Sequence, residues 1–153
     1  MSARLLTYAD ALHIAQRLRA IDVRECAEQS HATRPEDIAA RCMSEINAKW
    51  VMCAPDGEPV VMFGVSHLHH GLGEAWLLAT DRWGEVWQSC TKFAVFLRRN
   101  LKLRRIQVHS AAFHIDSHAW LQLLGFEQEA VLRNYGITGE DFYLMALMPQ
   151  KGI

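Results

Sequence analysis

Residues 114–127 read His114-Ile-Asp-Ser-His-Ala-Trp-Leu-Gln-Leu-Leu-Gly125-Phe126-Glu127. The pattern predicts a short amphipathic helix over 115–124. Gly125 closes it, because a residue without a Cβ takes the positive φ of a helix C-terminus at little cost. Phe126 then drops into the core at the start of the next strand.

The neighbouring segments extend this unit in both directions. Downstream, strands are expected over 126–134 and 141–147, around Gly136-Ile-Thr-Gly139. Upstream, Arg104–Ser110 reads as a strand and Trp87–Leu101 as a helix, with Cys90, Phe93, Ala94 and Leu97 as its apolar stripe. Asp81-Arg-Trp-Gly-Glu-Val86 is the loop before that helix. Glu74–Thr80 is a strand so apolar that it suits a central position covered on both faces. Lys49–Ala54 and Val60–Leu68 form a hairpin around the turn signal Pro55-Asp-Gly-Glu-Pro59. Nearer the start, a strand over 3–7 leads into a helix over 8–24, with Thr7 or Asp10 as cap. A loop at 29–33 follows. Arg34-Pro-Glu-Asp37 then opens another helix, capped by Thr33, that runs to about Asn47. The order β α α β β β α β α β β implies one α/β domain over 1–153, a mixed sheet with helices packed on it.

Composition sets the outer limits. The chain of 153 residues is 50% apolar and 22% charged, a folded profile with material for a core. A formal net charge of -1 gives no long-range attraction to nucleic acid. The basic cluster Arg98, Arg99, Lys102, Arg104 and Arg105 reads as a solvated face at a helix C-terminus. Cys26, Cys42, Cys53 and Cys90 show no C-x-x-C spacing and are expected as reduced thiols in a cytoplasmic setting. The charged amphipathic start predicts neither a signal peptide nor a membrane span.

The element order, with the helix running into Gly125-Phe126-Glu127 and the closing stretch Leu132-Arg-Asn-Tyr135 to Met145, resembles the GNAT superfamily of N-acetyltransferases. The likeness covers about residues 58–148 well and the first helices loosely. It implies the GNAT-type acyl-CoA N-acyltransferase fold, with acetyl-CoA (or CoA) held where two central strands splay apart. On that likeness, Trp76, Leu78, Ala79 and Thr80 face the pantetheine arm. Arg82, Trp83, Gly84, Glu85, Val86, Trp87 and Gln88 form the loop and helix start that meet the pyrophosphate. His114 stands where the family carries an asparagine. Leu121 stands where many members keep a tyrosine, and leucine cannot protonate a thiolate. The phosphate loop keeps one glycine, Gly84. Ala75-Trp-Leu-Leu-Ala-Thr-Asp-Arg-Trp83 is also similar to short GNAT-like proteins of podophages, which implies a phage or prophage origin and a virion location.

Acetyl transfer to an amine needs a base and a stabilised oxyanion. Glu74 and His109 are the candidate bases, and Tyr135 is a candidate acid or a wall of the acceptor pocket. Ser110 is a weaker candidate donor to the thiolate or the acetyl oxygen. His67 and His69 share a strand face and His70 points away, so no metal is expected there. Acetyl-CoA is expected to bind weakly, because Glu85 brings like charge towards the phosphates and Trp83 and Trp87 are bulky. Two readings stay open. One is an acetyl-CoA-dependent N-acetyltransferase acting on a small-molecule or protein amine. The other is a GNAT-like fold without catalysis that serves in virion assembly, in protein–protein interaction or as a homo-oligomer. Neither reading calls for nucleic acid or a membrane.

Overall fold

The computed structural model describes residues 2–30, 32–44 and 47–149, apart from the side chain of Asn47. Seven strands form one sheet, β1 (Ala3–Leu5), β2 (Asn47–Cys53), β3 (Pro59–His69), β4 (Leu72–Ala79), β5 (Arg105–Ala111), β6 (Glu127–Leu132) and β7 (Phe142–Leu147). Their order across the sheet is β1-β2-β3-β4-β5-β7-β6. Every pair is antiparallel except β4 with β5, which run parallel. The helices are α1 (Tyr8–Ala15), α2 (Ala20–Gln29), α3 (Pro35–Cys42), α4 (Trp87–Asn100) and α5 (Ile115–Leu123).

Side-chain alternation divides the sheet between two helical layers. Val51, Met62, Trp76 and Leu78 pack against Ala11, Ile14 and Ile38 of α1 and α3. Met52, Val61, Phe63 and Leu77 turn the other way, to Cys90, Phe93 and Leu97 of α4. Strand β4 is thus covered on both faces, as its composition requires. Trp50, Phe63 and Phe93 pack with ring centroids 5.7–5.9 Å apart.

The Gly125 junction forms as expected. Gly125 has φ 98°, the Phe126 amide reaches back to the Leu121 carbonyl at 3.0 Å, and Phe126 is buried with Leu121 and Leu124. This is the six-to-one bond and apolar contact that close a helix at a left-handed residue. A Cβ at Gly125 would lie 2.8 Å from Arg98 Nη1. Gly125→Ala is therefore expected to cost about 1–2 kcal/mol. A lower urea midpoint with an unchanged m-value would register it.

The first helix differs from the expected 8–24. Thr7 caps α1 in a capping box with Asp10, and Arg4 clamps the same carboxylate at 2.6 Å and 2.9 Å. The chain then leaves the helix at 16–19. There Leu18 bridges Thr80, and the Arg19 amide donates to the Ala79 carbonyl at 3.0 Å. Pairing with the end of β4 outweighs helix continuation, and no glycine or proline marks the break. A new helix, α2, runs past the expected end at residue 24 to Gln29, the first residue of the expected loop. Helix α3 starts with Pro35 in its first turn, but Arg34 and not Thr33 holds the cap position. It ends at Cys42; Glu45, expected to extend it, lies outside the described residues.

Candidate functional site

Strands β4 and β5 pair only from Leu72 to Glu74 and from Arg105 to Gln107. Beyond that they separate. The Thr80 amide bonds to the Val60 carbonyl, so alternation along β4 turns the main-chain groups of Thr80, Leu78 and Trp76 towards β3. Those of Ala79 and Leu77 turn towards the gap. Both groups of Ala79 are occupied, the amide by Asp22 and the carbonyl by Arg19. The open edge of β4 is therefore centred on Leu77, within the stretch 76–80 expected to meet the pantetheine arm, and not on Ala79.

Helix α2 lies across the gap. Asp22, Glu25 and Gln29 fall on one face, at i, i+3 and i+7. Each satisfies main chain that a continuing sheet would have paired. Asp22 accepts from the Ala79 amide at 3.0 Å, Glu25 accepts from the Ala111 amide at 3.0 Å, and Gln29 donates to the His109 carbonyl at 3.3 Å. Asp22 also accepts a fork from Arg19, at 2.9 Å and 3.0 Å, and contacts His114 Nε2 at 3.0 Å. Burial alone would raise the Asp22 carboxyl, but His114, Arg19 and the Ala79 amide together hold it below its ordinary range. At Glu25 burial outweighs the pull of His114, the Ala111 amide and Arg19, and pushes the carboxyl up.

The gap opens into a cavity of about 440 Å³ that reaches both faces of the sheet. On the α2 face it brings together Glu74, His109 and Tyr135, from three elements distant in sequence. His109 Nδ1 is hydrogen-bonded to Glu74 Oε1. The Tyr135 ring lies parallel to the imidazole, with centroids 5.4 Å apart and planes within 5°. Glu74 and His109 keep 30% and 20% of their side-chain surface exposed, enough for a ligand to reach them. Tyr135 is presented by the β6–β7 loop, which Glu28 of α2 anchors. Thr138 donates to it from its amide at 3.0 Å and from its hydroxyl, and the Ile137 amide bonds to the Glu28 carbonyl.

On the α4 and α5 face, Trp83 meets Trp120 edge to face at 5.6 Å, and Trp120 Nε1 donates to Thr91 Oγ1 at 2.8 Å. Ser110 Oγ contacts Ser117 Oγ at 3.3 Å. Residues Asp81–Glu85 wind into a 3-10 turn capped by Thr80. Arg82 is not free within it. It forks onto Glu85 at 2.6 Å and 2.8 Å and also binds Asp56 and Glu58. A Cβ at Gly84 would meet nothing within 4 Å, so the protein itself does not require glycine there. Val86 is buried in the core, and Trp87 starts α4 with no side chain capping its first turn. Gln88 is exposed beside it.

Several expected residues play structural parts. His114 is enclosed, with Nε2 on Asp22 and no hydrogen-bond partner at Nδ1 among the described residues. Leu121 is core. All four cysteines are free, and burial pushes the thiols of Cys26, Cys42 and Cys90 up to about 12. His67, His69 and His70 are exposed, with a register shift between His67 and His69. Among the described residues no group of His, Cys, Asp and Glu forms a metal site, and no helix is long and apolar enough to cross a membrane. Sequence reading passed over Asp22, Glu25, Gln29 and Ser117. The polar i, i+3, i+7 stripe of α2 was the available signal, hidden because the helix was expected to stop at residue 24.

The fold is shared with solved N-acetyltransferase structures. A spermidine N-acetyltransferase from Vibrio cholerae superposes with a TM-score of 0.75 at 12% identity, over 99% of this chain and 96% of that one. The ribosomal-protein-S18-alanine N-acetyltransferase from Escherichia coli gives 0.71 at 18% identity, over 99% and 97%. The ribosomal-protein-S5-alanine acetyltransferase from Vibrio fischeri gives 0.69 at 19% identity, over 97% and 93%. The chain matches no protein-family model and no curated protein sequence. The likeness establishes the GNAT acyltransferase fold, a mixed α/β sheet flanked by helices.

Proposed function

We propose that this chain is an acetyl-CoA-dependent N-acetyltransferase that uses His109, oriented by Glu74, as the base for an attacking amine. The observation that carries the reading is the Glu74–His109 contact, with Tyr135 stacked on the imidazole, at the cavity where β4 and β5 part. A carboxylate on Nδ1 favours the tautomer with its proton there. Nε2 is then left with a lone pair, the group a general base needs. Glu25, a second carboxyl on the same face, suits a pocket that receives a cationic amine.

Three features fit the acyl donor. The Leu77 main chain offers an unpaired strand edge to the pantetheine amides. The first turn of α4 offers the amide N–H groups of Trp87 and Gln88 to the pyrophosphate, since such groups lack intrahelical partners. Gly84 leaves open the space that a Cβ would fill. The donor supplies an activated thioester, and the chain supplies position and proton transfer. A thiol pushed up to about 12, as in Cys26, stays protonated near neutrality. Direct attack by the amine is therefore favoured over an acyl-cysteine.

Charge tempers the affinity. Asp56, Glu58 and Glu85 surround Arg82, and Glu58 also contacts His13, so carboxylates outnumber guanidinium groups in this cluster beside an anionic ligand. Calorimetry with acetyl-CoA, paired with a thiol-release assay across small amines and peptide N-termini, tests the reading. Binding with amine-dependent thiol release is the expected result. Glu85→Gln is expected to tighten binding about two- to fivefold at low salt and less at high salt. No heat from either protein at saturating acetyl-CoA would leave a non-catalytic role as the better reading.

A further inference from the structure

His109 and Ser110 are consecutive residues of β5, so their side chains leave opposite faces of the sheet. His109 faces Glu74 and Tyr135 on the α2 side. Ser110, 1% exposed, meets Ser117 of α5 on the other side. Both serines line the cavity at the level where β5 has left β4. A thioester carbonyl held in the gap would be flanked by a base on one face and a hydroxyl pair on the other. That is the geometry a displacement wants, with the nucleophile deprotonated on one side and the leaving group stabilised opposite.

Several other donors on the α5 side already have partners, whereas the buried Arg98 Nε has none among the described residues. Trp120 Nε1 donates to Thr91, Arg98 Nη1 to the Leu124 carbonyl, and His118 Nε2 contacts the Ala111 carbonyl. Leu121 has no proton to give. Ser110 donates to Ser117, and the Ser117 hydroxyl proton has no acceptor among the described residues.

We propose that Ser117, polarised by Ser110, donates a hydrogen bond to the departing thiolate. This rests on the acyl-transfer reading above. The amine nitrogen forms the new C–N bond and gives its proton to His109 Nε2. The C–S bond breaks with its electron pair going to sulfur. The thiolate stays hydrogen-bonded to Ser117 until release, when it takes a proton from water and His109 returns its own. Serine is too weak an acid to protonate the sulfur, so its part is to stabilise the anion.

The test is an ultraviolet titration of the CoA thiol bound to the full chain, with acetyl transfer measured beside it. In the wild type the bound thiol is expected to ionise about one pH unit or more lower than on Ser117→Ala, a tenfold difference in thiolate. Ser117→Ala should lower kcat about ten- to a hundredfold with the KM for acetyl-CoA unchanged, the size of a hydrogen bond to a charged group. Ser117→Thr, which keeps the hydroxyl, should restore both. Identical thiol titrations on wild type and Ser117→Ala, at equal CoA affinity, would overturn the proposal and leave the acyl-transfer reading in place. CoA bound by neither protein would end both.

Discussion

His109→Gln is expected to reduce kcat about a hundred- to ten-thousandfold, the usual contribution of a positioned general base. The KM for acetyl-CoA should hardly move, because the imidazole faces the acceptor side of the gap and the open strand edge belongs to Leu77. Melting should also be little changed, since His109 keeps 20% of its side chain exposed and its ring partner Tyr135 is half exposed. Glu74→Gln separates orientation from charge. The amide oxygen can still accept from Nδ1, but it no longer stabilises an imidazolium, and a loss of about ten- to a hundredfold is expected. Full activity in His109→Gln at every pH would remove His109 as the base.

How much of this was readable beforehand follows from how local each signal is. The Gly125-Phe126 junction, the α4 stripe around Cys90 and Phe93 and the double-sided composition of β4 are local patterns, and the structure reproduces them. The break at 16–19 is not local. It arises because Leu18 and Arg19 pair with the end of β4, some sixty residues away. Losing that break hid α2, and with it Asp22, Glu25 and Gln29. Glu74, His109 and Tyr135 were nameable one by one as residue types in strands or beside them. Their contact depends on the parallel β4–β5 pairing and on Glu28 holding the Tyr135 loop, neither of which a spacing rule contains. The main-chain edge was shifted from Ala79 to Leu77 for the same reason. Alternation was known from the sequence, but its phase was set by the Thr80–Val60 bond.

The largest effect on stability is expected at Asp22. Its carboxylate, 1% exposed, gathers the Ala79 amide, the Arg19 fork and His114 Nε2. Asp22→Ala would leave a buried amide unpaired and strand Arg19 beside a cavity. Breaking a buried pair from one side costs about 3–5 kcal/mol, which should lower the melting temperature by roughly 10 °C. Asp22→Asn should cost less. One amide oxygen can keep the Ala79 bond, and a neutral His114 can turn its lone pair to the new N–H. The sign of the pH dependence separates charge from shape. The folded carboxyl of Asp22 lies below its unfolded value, so its contribution is present above the unfolded value and is lost as pH falls through the folded one. Wild type should therefore lose stability on acidification below about pH 4 more steeply than Asp22→Asn. Glu25, one turn on, has the opposite sign. Burial raises its carboxyl, so the ionised form costs stability near neutrality, and Glu25→Gln should raise the melting temperature there. Because α2 carries both residues across the same gap, the two variants should also differ in function. Asp22→Asn, at a side chain that does not line the cavity, should spare amine affinity, whereas Glu25→Gln should weaken it. Chemical-denaturation curves from pH 3 to pH 8, with amine titrations at neutrality, measure both, and a flat pH dependence of the wild-type minus Asp22→Asn difference would show that the buried carboxylate is not what holds the splayed strands in place.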